Sequence, residues 1–154
     1  MIVTSQTTYR PKTYELALAY YLEGKTSLSK IYADSAIIHL KEKINEIPDD
    51  DRFYATLGKC YALAGNDREA FAYGRKAIDL KPISLDVYQG IVKEQDLMEI
   101  YIFSGKFDEA LDKIEYLLSV PSWLSKGILM IDPIFDRLRI LPRFQEILKT
   151  NYLN

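Results

Sequence analysis

Few residues in this sequence could do acid–base chemistry. Asp132 and Asp136 lie four residues apart, a spacing that can place two carboxylates on one helix face, as general acid and base pairs require. The alternative is structural. Asp132 precedes Pro133 as a helix-capping residue does, and Asp136 can pair with Arg139 or Arg143. We favour the structural interpretation of this pair.

His39 and Cys60 are the only residues of their kinds. His39 has apolar neighbours and is more typical of a helix boundary than of a ligand, while a lone thiol forms neither an internal disulfide nor a multi-thiolate metal site. The glycine-rich phosphate loops, the serine elbow and the zinc-binding helix motif are missing from the sequence. We therefore expect no catalytic residues, no cofactor and no metal, and a protein that is not an enzyme.

Composition limits the classes that remain. The chain has 154 residues, of which 48% are hydrophobic, and it carries 20 basic and 22 acidic residues for a net charge of -2. This size fits one domain, residues 1–154, and the charge provides no positive field for nucleic acid or an anionic membrane. No apolar run approaches the roughly 20 residues that cross a bilayer. We expect a cytoplasmic protein.

The sequence also contains an internal repeat. Five positions, Leu57, Gly58, Tyr61, Gly65 and Ala70, recur at a constant offset as Leu97, Met98, Tyr101, Gly105 and Ala110. Within each copy the apolar residues fall at helical spacing on both sides of the glycine, which predicts a helical hairpin.

Turn and cap residues agree with these hairpins. Gly65 suits a left-handed turn, and Asp67 is expected to cap the helix that follows. After the break at Pro82, Ser84 or Asp86 can cap a long helix that runs to about Phe103. That helix should exceed its counterpart by more than a turn.

The pattern resembles the tetratricopeptide repeat. The matching residues are Tyr54, Leu57, Gly58, Tyr61, Gly65, Ala70, Tyr73, Ala77 and Pro82. Gly74 stands where the family has an aromatic residue, so we expect a slightly underfilled helix crossing there. The resemblance implies an all-α fold, an α-α superhelix of about three helical hairpins with a short helical C-terminal cap.

The repeats have predicted boundaries. Residues 8–47 form a degenerate repeat with an extended second helix, residues 51–84 a full repeat, and residues 85–121 a repeat with an extended first helix. Residues 122–154 contain Pro133 and Pro142 and predict short helices that cap the stack. The apolar tail residues, Ile131 among them, are expected to be covered.

The tail has a second resemblance. Its segments Pro121–Ser125, Ile131–Arg139 and Pro142–Phe144 look like the ending of repeat regions in multidomain bacterial signalling proteins. This implies a C-terminal sensory or docking part of a larger signalling or regulatory protein.

In tetratricopeptide families the first helix of each pair lines a concave groove, which implies a partner site here. Its candidate residues are Tyr14, Leu18, Tyr21, Arg52, Ala55, Lys59, Ala62, Gln95, Glu99 and Ile102. Arg52 and Lys59 lie two turns apart and could grip an acidic segment. The alternative for them is an ordinary solvated face.

Three hypotheses remain. The first is a module that binds a protein or peptide in the groove, with no nucleic acid and no membrane as partner. The second is homo-oligomerisation or structural assembly, with a possible homodimer formed through the ends of the stack. An enzyme would need a convergent cluster around His39 or around Asp132 and Asp136.

Overall fold

The computed structural model describes residues 2–152, and this part of the chain is mainly helical. Met1, Leu153 and Asn154, at the ends of the predicted domain, lie outside the described residues. The elements in chain order are β1 (Ile2–Thr4), β2 (Tyr9–Pro11), α1 (Lys12–Leu22), α2 (Thr26–Glu46), α3 (Asp51–Leu63), α4 (Asp67–Leu80), α5 (Val87–Phe103), α6 (Phe107–Ser119), α7 (Lys126–Ile131), a 3-10 turn (Pro133–Phe135), α8 (Asp136–Arg139) and α9 (Pro142–Lys149).

Consecutive long helices pack in pairs, α1 with α2, α3 with α4 and α5 with α6. Each pair is joined through a glycine with positive φ, Gly24, Gly65 or Gly105, which confirms the predicted turns. One predicted cap is wrong, because the N-cap of α4 is Asn66 without a side-chain bond, and Asp67 lies inside the first turn. Asp86 does cap α5, since its carboxylate accepts from the Gln89 amide at 2.9 Å.

Helix lengths follow the sequence predictions. The first pair has an extended second helix, since α2 spans 21 residues. Helix α5 has 17 residues and α3 has 13, so α5 is longer by just over one turn.

Two glycines allow close packing among α3, α4 and α5. A Cβ at Gly58 would lie 3.0 Å from the Ala70 carbonyl oxygen and 2.7 Å from Ile100 Cδ1. A Cβ at Gly74 would also lie 2.7 Å from Ile100 Cδ1, and 3.0 Å from Leu97 Cδ1. The expected underfilled crossing is therefore wrong, because α5 inserts these two side chains into the space.

Helix α5 connects two hydrophobic clusters. The first is formed mainly by α1 to α4 and includes Leu97, Ile100 and Phe103 of α5. The second joins Ile91 and Met98 of α5 to α6 and the tail. Helix α5 is therefore held by packing against both clusters.

An antiparallel strand pair precedes the helices, which the sequence analysis did not predict. Ile2 pairs with Pro11, Val3 with Arg10, and Thr4 with Tyr9. We call residues 2–11 the N-terminal arm. Strand β1 is exposed throughout, whereas Tyr9 and Pro11 of β2 are buried.

The tail forms short helices, as predicted. Its buried residues are Leu124, Leu129, Phe135, Leu138, Phe144 and Ile147. Ile131 contradicts the prediction of a fully covered tail, because it is 78% exposed. Among the described residues, no helix has the length and apolarity to cross a membrane.

Candidate functional site

The N-terminal arm lies on one face of α3 and α5 and is held there by its backbone carbonyls. The Tyr9 carbonyl accepts a hydrogen bond from Thr56 Oγ1 at 2.7 Å. Lys93 Nζ donates to the Thr7 carbonyl at 2.9 Å. Arg52 Nη1 donates to the Ser5 carbonyl at 2.7 Å. Side chains of α3 and α5 thus bind an extended backbone through its carbonyl oxygens, and these contacts do not depend on the arm's side chains.

One side chain anchors the arm. The Tyr9 ring packs edge-on against Phe53 with ring centroids 4.8 Å apart. Its hydroxyl lies 2.8 Å from His39 Nε2 on α2. Tyr9 is almost completely buried by these contacts and belongs to the first hydrophobic cluster.

A network of buried charges lies beside the arm. Lys93 is fully buried, with Nζ 3.1 Å from an Asp51 oxygen and 3.3 Å from an Asp96 oxygen. Lys59 Nζ lies 2.5 Å from Asp96 and 2.7 Å from Glu99. Removing a charge from water is costly unless opposite charges surround it, so the two lysines and three carboxylates stabilise one another only as a set.

Lys59 shows the strength of this network. Burial by itself lowers the pKa of the Lys59 ammonium, but Asp96 and Glu99 outweigh burial and hold that pKa well above its usual value. Lys59 therefore stays charged at neutral pH, and its ammonium forms ion pairs with Asp96 and Glu99 of the same chain.

The open side of this network is a polar pocket. Its lining residues are Thr7, Thr8, Arg10, Lys59, Tyr88, Val92, Gln95, Asp96, Glu99 and Trp123. Arg10 is paired with Glu15, with Nε 2.8 Å from a carboxylate oxygen. Gln95 also lines this pocket, and a side-chain amide of this kind can offer a donor and an acceptor to a ligand.

An apolar pocket adjoins the polar one and shares Tyr88 and Trp123 with it. We call its lining the aromatic patch, which consists of Val87, Tyr88, Ile91, Pro121, Ser122 and Trp123. Val87 is 66% exposed, Trp123 60% and Tyr88 53%. Large apolar side chains that stay this exposed next to one another are typical of interaction surfaces.

The two aromatic rings are held in place from opposite sides. They meet edge to face, with centroids 6.1 Å apart. The loop carrying Trp123 is fixed because Ser122 Oγ donates to the Leu117 carbonyl at 2.7 Å and accepts from the Leu124 amide at 3.1 Å. Tyr88 lies in the first turn of α5, which Asp86 caps. The patch is therefore organised without a partner.

The predicted groove residues of α1 differ in their exposure, since Tyr14 is buried whereas Leu18 and Tyr21 are partly exposed. Tyr14 is fully buried, which corrects its assignment as a partner-binding residue. Burial raises the pKa of its phenol, and its hydroxyl has no hydrogen-bond partner among the described residues. Leu18 packs against the first hydrophobic cluster. Tyr21 packs edge-on against Phe103 and accepts a hydrogen bond from Arg137 of the tail.

The predicted residues of α3 and α5 divide into three groups. Gln95, Glu99 and Lys59 meet in the polar pocket. Arg52 is separate, because it pairs with Asp50 at 2.6 Å and contacts the arm. The prediction that Arg52 and Lys59 together grip an acidic partner does not fit their placement, because both cations are already neutralised by the chain. Ala55, Ala62 and Ile102 are buried.

Three important residues were missed. Thr56 and Lys93 hold the arm, and Trp123 forms the aromatic patch. The only signal for Lys93 was a pair of opposite charges, Lys93 and Asp96, three residues apart in the same helix. Its burial depends on Asp51 of another helix, which spacing within α5 does not show.

The candidates for acid–base chemistry have structural contacts. Asp132 accepts from the Ile134 amide at 3.0 Å as a cap, and Asp136 pairs with Arg139. His39 contacts Tyr9. Cys60 is fully buried, and burial raises the pKa of its thiol, which disfavours the reactive thiolate.

The chain matches no family model and no curated protein.

Proposed function

We propose that this chain is a protein-interaction module with a tetratricopeptide-like superhelix, working in the cytoplasm as part of a larger signalling or regulatory protein and not as an enzyme. The repeat in the sequence supports this architecture. So does the packing, in which α3 contacts α2 of the preceding pair and α5 contacts α4. The first helices also contact one another, α1 with α3 and α3 with α5.

The observation that carries the proposal is the aromatic patch beside the polar pocket. Trp123 and Tyr88 supply large rigid rings, the residue types that contribute most to protein interfaces. Gln95 and Glu99 stand next to them and supply hydrogen-bonding groups. A protein or peptide partner would place an apolar side chain against the exposed side of the two rings and direct its backbone toward Gln95.

The test begins with a library of extended peptides displayed on phage and selected on the immobilised chain. The affinity of a selected peptide is then measured by fluorescence anisotropy on the wild type and on Trp123→Ala. We expect at least about a 10-fold loss, because truncating a central aromatic anchor typically costs 2 kcal/mol or more.

Ile140→Ala is the matched control, since Ile140 is 83% exposed and lines neither the polar pocket nor the aromatic patch. Its affinity should equal that of the wild type. Equal affinity of the wild type and Trp123→Ala for every selected peptide would show that the aromatic patch is not the binding site.

The alternative is homo-oligomerisation, which a second apolar surface favours. Met130 is 62% exposed and Ile131 78% exposed on the tail. A homodimer formed there would cover both side chains. Light scattering at several concentrations separates the two proposals: a dimer that Ile131→Ser dissociates supports assembly, and a monomer at all concentrations eliminates it.

A further inference from the structure

The N-terminal arm occupies its face of α3 and α5 in the manner of a bound peptide. Three of its backbone carbonyls, at Ser5, Thr7 and Tyr9, are hydrogen-bonded by side chains of these helices. Backbone contacts of this kind hold any extended segment, and one buried aromatic side chain adds selectivity.

The arm is weakly attached for a segment that covers so much polar structure. Residues 2–6 are exposed, and Tyr9 and Pro11 are its only buried members. Its strands are three residues long and make a single two-stranded sheet, which is at best marginally stable alone. Local opening at low free energy is expected of segments with few buried contacts.

Two of the three donors that hold the arm have other partners. Arg52 is fixed by Asp50, with Nε and Nη2 at 2.9 and 2.6 Å from its carboxylate oxygens. Lys93 is fixed by Asp51 and Asp96. Arg52 and Lys93 therefore keep these partners when the arm leaves, which lowers the entropic cost of binding another segment.

We propose that the face of α3 and α5 beneath the arm is a binding site for an extended partner peptide with an aromatic side chain, and that the arm is its built-in competitor. The peptide's carbonyls accept from Arg52, Thr56 and Lys93, and its aromatic ring takes the place of Tyr9 against Phe53. This site lies beneath the arm, whereas the aromatic patch lies beside it, across the polar pocket that Thr7 and Thr8 line.

The test weakens the arm in the full-length chain and supplies an intact arm from outside. The probe is a fluorescein-labelled peptide with the sequence of residues 2–11, titrated by fluorescence anisotropy onto the wild type and onto Tyr9→Ala. We expect at least about 10-fold tighter binding to Tyr9→Ala, because apparent affinity scales with the fraction of chains whose site is open.

Three matched variants accompany this measurement. Ile2→Ala changes an exposed residue of β1, so it should bind the probe as weakly as the wild type. Adding Thr56→Val to Tyr9→Ala should reduce the gain, because one carbonyl contact is lost. Adding Trp123→Ala should leave the gain unchanged, so failure at the aromatic patch and failure here are distinguishable.

Several results would overturn the proposal. One is no gain in probe binding by a Tyr9→Ala chain whose circular dichroism is that of a folded protein. Another is a concentration-dependent dimer of Tyr9→Ala without peptide, which would make the arm of a second copy the occupant. Amide hydrogen exchange on the wild type provides a separate test. If the amides of the arm exchange as slowly as those of α3, the arm opens only on global unfolding and cannot exchange with a partner peptide.

Discussion

Helix α5 carries two surfaces of opposite character, one with buried charges and one with exposed apolar side chains. Toward α3 it presents Lys93 and Asp96, whose charges are buried, paired and covered by the N-terminal arm. At its first turns it presents Val87 and Tyr88, which stay exposed beside Trp123. The covered face is complete within the chain, whereas the aromatic patch leaves apolar surface in water. From this difference we expect that loss of one buried charge destabilises the fold, and we propose that the patch contributes to a partner interface.

Among these substitutions, the loss of Lys93 from the covered face should reduce the stability of the protein most. Lys93→Met leaves the Asp51 carboxylate buried without its cation, which should lower the free energy of unfolding by about 3–5 kcal/mol. Urea unfolding followed by circular dichroism measures the change. Lys113→Met is the control, because its ion pair with Glu94 is partly exposed and should contribute no more than about 1 kcal/mol. Similar values for both variants would contradict the comparison.

High pH should lower the stability of the protein, because it removes the charge of Lys59 on the same face. The pKa of Lys59 is raised by folding, whereas in the unfolded chain it returns to about 10.4. The stabilisation from its ion pairs is therefore fully present below that pH and is lost as pH rises through the folded pKa. The measurement is the difference in urea midpoint between the wild type and Lys59→Met from pH 9 to 12. If this difference stays constant over the range, the charge of the Lys59 ammonium does not contribute to the stability difference.

Thr56→Val removes one contact of the arm and should reduce stability less than Lys93→Met does. The substitution leaves the Tyr9 carbonyl without its buried donor, which should cost about 1–3 kcal/mol. Thermal unfolding measures the loss. Ser35→Ala serves for comparison, because its exposed hydroxyl bonds only the Ile31 carbonyl of its own helix and its removal should change stability by less than about 0.5 kcal/mol.

Trp123→Ala should change stability least. A side chain that is mostly exposed adds little to folding, so we expect about 0.5 kcal/mol, against about 3–5 kcal/mol for the buried Phe144→Ala. Urea unfolding by circular dichroism compares them, since the chain has no other tryptophan. A loss above about 2 kcal/mol for Trp123→Ala would make Trp123 a folding residue and remove the contrast between the two surfaces.

Much of the helical framework could be predicted from local sequence. Gly65 and Gly105 adopt the left-handed turns expected of them, and α5 ends at Phe103 as expected. The close approach at Gly58 was also predictable, because only a small residue permits it. The turns and the helix end depend on neighbours a few residues away, so local spacing is enough to predict them.

The candidate site was predictable only in part. Gln95, Glu99 and Lys59 line one pocket. The expectation that grouped them came from the resemblance, in which the first helices of successive pairs line a common groove, and not from spacing within one helix. Tyr14 was misplaced because its burial depends on how α1 packs against its neighbours, which the repeat pattern of α3 and α5 does not specify. The filling of the space beside Gly74 by Ile100 was missed for the same reason.

By itself, the sequence determined the helices, their glycine turns, the extended α5 and the proline-broken tail. Each of these depends on backbone preferences and apolar periodicity within a short stretch. Only the tertiary structure decided that Lys93 is buried between Asp51 and Asp96, that the arm lies on α3 and α5, and that Trp123 meets Tyr88. These contacts join residues far apart in the chain, and burial or charge pairing at such distances is a property of the packed whole.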